Sequence, residues 1–199
     1  MSLCPDCGLH FQCVCAALPI TTSQLHLALL THDKEFTRPT NTGHWLEKSL
    51  PHCQRYRWSR VEPPADLLHQ IQQGSVVPYV LFPSEQSVAL SPKSHAASSP
   101  TQAPSRPSLF IVLDGTWQEA RKMWRQSPCL QALNQVHLAP SRDSIYQLRR
   151  NQAAGNLCTL EVGCELLHLI GETQSATDLL QFLQYAMRAF QADKSGHAL

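Results

Sequence analysis

Leu109-Phe110-Ile111-Val112-Leu113-Asp114-Gly115-Thr116-Trp117-Gln118-Glu119-Ala120-Arg121-Lys122-Met123-Trp124-Arg125 is the stretch whose reading decides the fold. Residues 109–113 are apolar without alternation, as in a strand buried on both faces. The run ends at an acid, turns through Gly115 and enters a helical pattern over 116–126. In an open parallel sheet, ligands bind beyond the carboxyl ends of the strands, where helix N-termini offer free N–H groups, so Asp114 stands where a site belongs. The plain alternative is that Asp114 or Thr116 only caps the helix. At helical spacing Trp117, Ala120 and Trp124 share one face, read as core. Arg121, Lys122 and Arg125 point elsewhere and are candidates for phosphate contact.

Two further apolar runs, 25–31 and 76–82, resemble 109–113. Helical patterns over 41–50, 65–73, 116–126 and 161–170 alternate with them, two of them stopped by Gly74 and Gly171. Such alternation predicts an α/β fold, a mainly parallel sheet with helices on both faces. A last helix is expected over 176–191, with Ser175 and Asp178 spaced as a capping box. Its stripe of Leu179, Phe182, Leu183, Ala186, Met187 and Phe190 is either core or a dimer face. The Ser/Pro-rich segment 91–107 cannot bury enough apolar surface to offset its ordering entropy and reads as a mobile surface insertion. Neither side of it is complete alone, so 23–199 is expected to form one domain.

The chain has 199 residues, 43% of them hydrophobic, enough for a well-buried domain. Charged residues are only 16%, and 16 Lys and Arg against 15 Asp and Glu leave a net +1. A general polyelectrolyte binder is excluded; any nucleic-acid face has to gather its cations locally. No apolar run approaches the ~18 residues that cross a bilayer, and the first residues lack the pattern of an export signal. A cytoplasmic protein with no membrane partner is expected. There is no Gly-x-Gly-x-x-Gly after a strand, no phosphate-binding Gly-Lys-Ser/Thr loop and no Gly-x-Ser-x-Gly elbow, which disfavours Rossmann-type cofactor binding, nucleotide hydrolysis and serine hydrolysis.

Cys4, Cys7, Cys13 and Cys15 crowd the first residues, while Cys53, Cys129, Cys158 and Cys164 are scattered. In a reducing compartment that density points to a metal thiolate, and four sulfurs satisfy tetrahedral Zn2+. With four protein ligands such an ion has no open position for water, so it staples an arm, residues 1–22, rather than catalysing. A redox Cys-x2-Cys pair and loose surface thiols are the competing readings. The scattered cysteines read as small packed apolar residues.

Three further segments carry polar chemistry. Thr31 to Gly43 mixes His32, Asp33, Lys34, Glu35 and Arg38 just before a helix that Asn41 or Thr42 can cap. Gln54-Arg55-Tyr56-Arg57-Trp58-Ser59-Arg60 interleaves cations and aromatics, suited to phosphates and bases or to a charged edge strand. Tyr146-Gln147-Leu148-Arg149-Arg150 precedes Asn156-Leu157-Cys158-Thr159-Leu160-Glu161, a helix start or a ligand loop.

These motifs, in this order, resemble the DTW-domain proteins of the bacterial tRNA-uridine aminocarboxypropyltransferase type. The name-giving residues are Asp114, Thr116 and Trp117. Cys4, Cys7, Cys13 and Cys15, the Thr-Asn-Thr-Gly of 40–43, the Trp-Ser-Arg of 58–60, and Tyr146, Leu148, Arg149, Thr159 and Glu161 complete the match. The resemblance implies a fold related to the SPOUT RNA methyltransferases with a C-terminal trefoil knot. It also implies transfer of the 3-amino-3-carboxypropyl group of S-adenosylmethionine to N3 of a uridine in the tRNA variable loop, releasing methylthioadenosine. On that reading Leu81, Phe82, Pro83 and Ser84, Asp114, Thr116 and Trp117, and Leu157, Cys158, Thr159 and Glu161 enclose the cofactor. Asp114 is the candidate general base for uridine N3–H. Arg38, Asn41, Trp58, Arg60, Arg121, Lys122 and Arg149 face the tRNA. Two other classes stay open: a methyltransferase using the same cofactor, and a non-catalytic zinc RNA-binding module.

Overall fold

The computed structural model describes residues 3–91, 106–139, 143–148 and 157–199. Along the chain lie β1 (His26–Thr31), α1 (Gly43–Ser49), β2 (Cys53–Arg57), α2 (Ala65–Gln72), β3 (Val77–Leu81), β4 (Val88–Ala89), β5 (Ser108–Asp114), α3 (Trp117–Arg125), α4 (Pro128–Gln131), β6 (Asn134–His137), α5 (Thr159–Leu169) and α6 (Thr173–Lys194). The six strands form one sheet in the order β2-β1-β5-β3-β6-β4, every neighbouring pair parallel.

The three apolar runs become β1, β5 and β3, side by side in the middle of the sheet. Their lack of alternation has a physical cause. Leu27, Leu29, Phe110 and Val112 pack into a core with α1, α5 and α6, while Ala28, Leu30, Leu109, Ile111 and Leu113 pack into a second core with α2, α3 and α4. Each fully buried Leu, Ile or Phe contributes about 1.5–3 kcal/mol relative to exposure. The expected two-sided α/β arrangement is what the chain adopts.

Some boundaries differ from the sequence reading. α6 starts at Thr173, before the proposed capping box, so Ser175 lies inside its first turn. Its apolar stripe is buried against the first core, with Leu179 and Leu183 0% exposed, so packing rather than a dimer face explains it. The strands β2, β4 and β6 and the short α4 carry no apolar run. β2 forms one edge of the sheet with Gln54 and Arg57 exposed, the charged-edge alternative for that segment. Most of the predicted insertion, 92–105, lies outside the described residues.

The topology prepares a crevice. β1 leads through α1 to β2 on one side, whereas its neighbour β5 leads through α3 and α4 to β6 beyond β3 on the other. Adjacent strands whose connections part in opposite directions leave a gap beyond their carboxyl ends. Thr31 and Asp114 are register partners at that point. The N-terminal arm is far from loose: Cys7, Leu9 and Val14 are buried in the first core, and the His10 and Phe11 N–H groups donate to Asp193 Oδ1 on α6 at 2.7 and 2.9 Å. No helix among the described residues is long and apolar enough to cross a membrane.

Candidate active site

Asp114 ends β5 with 0% exposure, and three segments close on its carboxylate. Thr31 Oγ1 from β1 donates to Oδ2 at 3.1 Å, and Thr159 Oγ1 from the first turn of α5 donates to Oδ1 at 2.7 Å. Asn41 Nδ2, before α1, reaches Oδ1 and Oδ2 at 3.1 and 3.0 Å. The Asn41 Oδ1 accepts from the Gly43 and His44 N–H groups, so one amide caps α1 and fastens it to β5. Gly43 is required by proximity, since a Cβ there would lie 2.8 Å from Asp114 Oδ2. Burial pushes the Asp114 carboxyl above the ordinary aspartate value, against the Thr159 and Asn41 donors, and the charge of Glu35 acts in the same direction as burial.

The two helix-cap readings are now separable. Thr116 caps α3 and forms a capping box with Glu119, so the strand-end acid is free of that duty. Glu119 is also gripped by Arg38, whose Nη1 and Nη2 donate to Oε2 and Oε1 at 2.9 and 3.0 Å. Burial opposes ionisation of Glu119, but Arg38 and the Thr116 donors outweigh it and hold the carboxyl at about 2. The same guanidinium pairs with Glu35, which is 1% exposed and accepts from Asn41 Nδ2 at 2.8 Å. One Asn41 amide therefore bridges two buried carboxylates, and one Arg38 ties the turn after β1 to α3.

On the far side, Cys158 is the N-cap of α5 and Glu161 closes its first turn, accepting from the Cys158 N–H at 2.8 Å. Thr159, expected as a cap, sits inside the helix and spends its hydroxyl on Asp114. Glu161 also binds Ser144 Oγ and the Ile145 N–H, each at 2.7 Å, and Tyr146 Oη donates to the Thr40 carbonyl at 2.6 Å. α5 approaches α1 closely at Gly163, where an added Cβ would meet Leu46 at 2.7 Å. Matched motifs far apart in sequence, 40–43, 114–117, 146 and 159–161, thus converge on one place.

Phe82, just after β3, packs against α3. Its ring stacks with Trp117 at 5.6 Å and with Trp124 at 4.9 Å. Leu81 and Ser84 are half-buried and Pro83 is exposed, with the Ser84 hydroxyl bonded to Gln135 Oε1. Trp117 departs from the helical-face expectation. It is 42% exposed, while Ala120 and Met123 take the core positions, because the helix meets the sheet one residue further round. Trp58 is 9% exposed, stacked on His32 and donating through Nε1 to Ser127, so it is packed rather than presented. His32 donates its own N–H to the Asp114 carbonyl. Among the residues assigned to tRNA, Arg60, Arg121 and Lys122 are exposed, Arg38 and Asn41 serve the buried network, and Arg149 lies outside the described residues, as do 150–156. Thr31, Glu35, Glu119 and Gly43 belong to the site but were not singled out as site residues. Thr31, Glu35 and Gly43 lay within the polar segment 31–43 without being picked out of it, and the capping-box spacing of Thr116 and Glu119 was a local signal for Glu119.

The four N-terminal thiols gather within 4.8 Å of one another, with Cys4 Sγ 3.5 Å from Cys13 Sγ and 3.9 Å from Cys15 Sγ. A tetrahedral site with metal–sulfur bonds of ~2.3 Å spaces its sulfurs ~3.8 Å apart, so the cluster fits a metal ion. The Cys7 and Asp6 N–H groups lower the Cys4 thiol to about 6, whereas burial pushes the Cys7 and Cys15 thiols up. Cys53 and Cys164 are buried as small packed residues, and Cys129 and Cys158 are half-buried.

An all-parallel sheet with a buried carboxylate at its switch point, joined to an arm of four gathered thiols that could hold a metal ion, defines an open-sheet α/β protein. Its family follows from comparison: the DTW domain matches residues 1–191, and the chain belongs to the DTW-domain family. It is 29% identical over 178 residues to tRNA-uridine aminocarboxypropyltransferase 2 of Drosophila melanogaster, covering 86% of this chain and 66% of that protein. The mouse protein of the same name is 26% identical over 196 residues, covering 94% of this chain and 63% of that one, and the Macaca fascicularis protein is 25% identical over 186 residues, covering 90% and 59%. The chain thus spans about three fifths to two thirds of these relatives' lengths. All three are animal proteins, so the family is shown without the bacterial subtype. No solved structure matches the chain.

Proposed function

We propose that this protein is a cytoplasmic tRNA-uridine aminocarboxypropyltransferase, using S-adenosylmethionine as donor and modifying N3 of a uridine in the tRNA variable loop. The observation that carries the reading is the convergence of the end of β1, the Asn41 turn before α1 and the start of α5 on one buried carboxylate at the switch point. Among the described residues the centre gathers Asp114, Glu35, Glu119 and Glu161, with Arg38 paired to Glu35 and Glu119 and the charge of Arg55 acting on Asp114, an excess of carboxylates that suits a cationic sulfonium.

When bound, the donor supplies a carbon already activated by positive sulfur; the protein has to select which carbon faces the nucleophile. Leu81 to Ser84, Thr116 and Leu157 to Glu161 would hold the donor. Asp114 takes the N3 proton, exchanging the Thr159 hydroxyl for the uridine imide, while the nitrogen–carbon bond forms and the carbon–sulfur pair returns to sulfur. Burial makes this carboxylate more basic than an exposed aspartate, the direction a general base needs. Asn41 and Thr31 keep it aimed throughout. Cys4, Cys7, Cys13 and Cys15 would hold a structural Zn2+, with no part in the transfer.

The SPOUT relationship and the trefoil knot belong to this same reading. Such a knot would be made in the connection from β6 to α5, of which 140–142 and 149–156 lie outside the described residues. Mass spectrometry of nucleosides from tRNA incubated with the protein and S-adenosylmethionine tests the proposal: a 3-amino-3-carboxypropyluridine with methylthioadenosine as co-product is expected. A methylated nucleoside with S-adenosylhomocysteine would make it a methyltransferase, and bound but unmodified tRNA a binding module.

A further inference from the structure

α3 leaves the crevice with one face open to solvent. Its exposed residues are Trp117, Gln118, Arg121, Lys122 and Arg125. At helical spacing 117, 121 and 125 run along one side, with 118 and 122 beside them. The face carries three cations and no acid; the helix's one carboxylate, Glu119, is engaged by Arg38. Among the described residues no carboxylate pairs with Arg121, Lys122 or Arg125. In a chain of net charge +1, three uncompensated cations on so short a helix are the local gathering that phosphate binding requires.

The aromatic residue on this face is held unusually well for an exposed one. The Trp117 indole is 42% exposed, yet its ring is stacked nearly parallel to Phe82, at 15°, and Phe82 is stacked in turn with Trp124 at 18°. The Arg121 guanidinium lies 5.9 Å from the Trp117 ring centroid. A large flat ring costs free energy when left in water, and here its orientation is fixed by the ladder beneath it. It stands three residues after Asp114, at the first position of the helix that follows β5. A rigid exposed indole bordered by cations fits an unstacked nucleobase with its flanking phosphates, which a base paired within a duplex cannot present.

We propose that the open face of α3 docks the single-stranded loop of the tRNA, Trp117 stacking a base next to the target uridine and Arg121, Lys122 and Arg125 holding the adjoining phosphates. This deepens the transferase reading and rests on it for the identity of the RNA. It also moves Trp117 from the cofactor side, where the resemblance puts it, to the RNA side.

The test measures binding of in vitro transcribed tRNA over a range of salt, and of S-adenosylmethionine by calorimetry, for Trp117→Ala, Trp117→Phe and the triple variant Arg121→Ala/Lys122→Ala/Arg125→Ala. Trp117→Ala should weaken tRNA about tenfold and Trp117→Phe much less, with S-adenosylmethionine affinity and melting temperature held. The triple variant should lower the slope of log affinity against log salt by about two, from three lost single-strand phosphate contacts. Trp117→Ala losing S-adenosylmethionine while keeping tRNA would make the indole a cofactor wall and overturn the proposal. An unchanged salt slope in the triple variant would also overturn it, by moving the RNA elsewhere. Should the variants lose tRNA binding while the parent protein modifies no nucleoside, the docking face stands and the transferase reading falls.

Discussion

Two clusters of polar side chains organise this molecule, and they are built on opposite principles. The thiol cluster takes all its members from Cys4 to Cys15, so neighbours in sequence are neighbours in space. The Asp114 cluster draws Thr31 from 83 residues away, Asn41 from 73 and Thr159 from 45. A short loop is closed at little entropic cost, and its failure stays local. A centre assembled from three distant segments forms only when the whole sheet has formed, so its geometry reports on the entire fold. On the proposed function the catalytic duty falls to the long-range cluster, because only the sheet can hold three segments to the positional tolerance that group transfer demands.

The largest effect expected from breaking this contrast comes from Asp114→Asn. The substituted amide keeps the shape but sets a donor against Asn41 Nδ2, which is itself only a donor, and removes the base. Turnover should fall by roughly 100-fold or more, the range for loss of a general base. S-adenosylmethionine affinity should change little. Undiminished turnover would leave Asp114 with structural duty alone. Next in size is Gly43→Ala, whose Cβ would sit 2.8 Å from Asp114 Oδ2. Overpacking there should cost roughly 1–3 kcal/mol of stability by chemical denaturation, and displacement of the carboxylate should slow turnover about tenfold. A variant as active as the parent would mean that Asp114 moves during the reaction anyway.

The contrast also explains what could be read in the sequence. The thiol cluster was legible because metal spacing is a local pattern, and β1, β3 and β5 were legible because residues 25–31, 76–82 and 109–113 are apolar on both faces. Asp114 was visible as a strand-end acid, with its choice between cap and site open until Thr116 proved to be the cap. The partners were not visible. Nothing near Thr31 or Thr159 says that their hydroxyls meet one carboxylate, because that meeting is decided by strand order, which periodicity does not encode. Trp117 misled because helical spacing gives the faces of a helix but not the angle at which it meets the sheet. β4 and β6 were missed as strands since they carry no apolar run to find, and β2 was legible only as the charged-edge alternative for 54–60.

A smaller and subtler effect is expected from Glu35→Gln. Asn41 bridges Glu35 and Asp114, and the charge of Glu35 raises the Asp114 carboxyl. Removing that charge should lower the Asp114 value and move the acid limb of the kcat/KM profile to lower pH by less than about one unit. Stability follows the same group with a definite sign. A carboxyl raised by folding contributes stability below its unfolded value, ~3.9 for aspartate, and loses that contribution as pH rises through the folded value. Glu35→Gln should therefore narrow the pH interval of that decline, measured by urea denaturation from acid to neutral pH. An unmoved profile would show that Asn41 couples the carboxylates by position alone.

The smallest effect on turnover should come from the other cluster. If the arm holds the proposed Zn2+, its chelation, or Cys4→Ser, should release a staple whose consequences reach the arm: Cys7, Leu9 and Val14 should lose their hold in the first core, and the Asp193 contact with the His10 and Phe11 N–H groups should loosen. For a chain of this size a loss of about 2 kcal/mol lowers Tm by roughly 4–8 °C. Well below that temperature the sheet still positions Thr31, Asn41 and Thr159 around Asp114, because none of these contacts passes through the arm. Turnover at 25 °C should then stay within about twofold while one equivalent of Zn2+ is released, as measured by a chromogenic zinc chelator. If activity instead disappears with the metal, the arm is coupled to the crevice through α1, whose Lys48 pairs with Asp6 beside Cys7. The separation between a local staple and a long-range catalytic centre would then give way to a single cooperative unit.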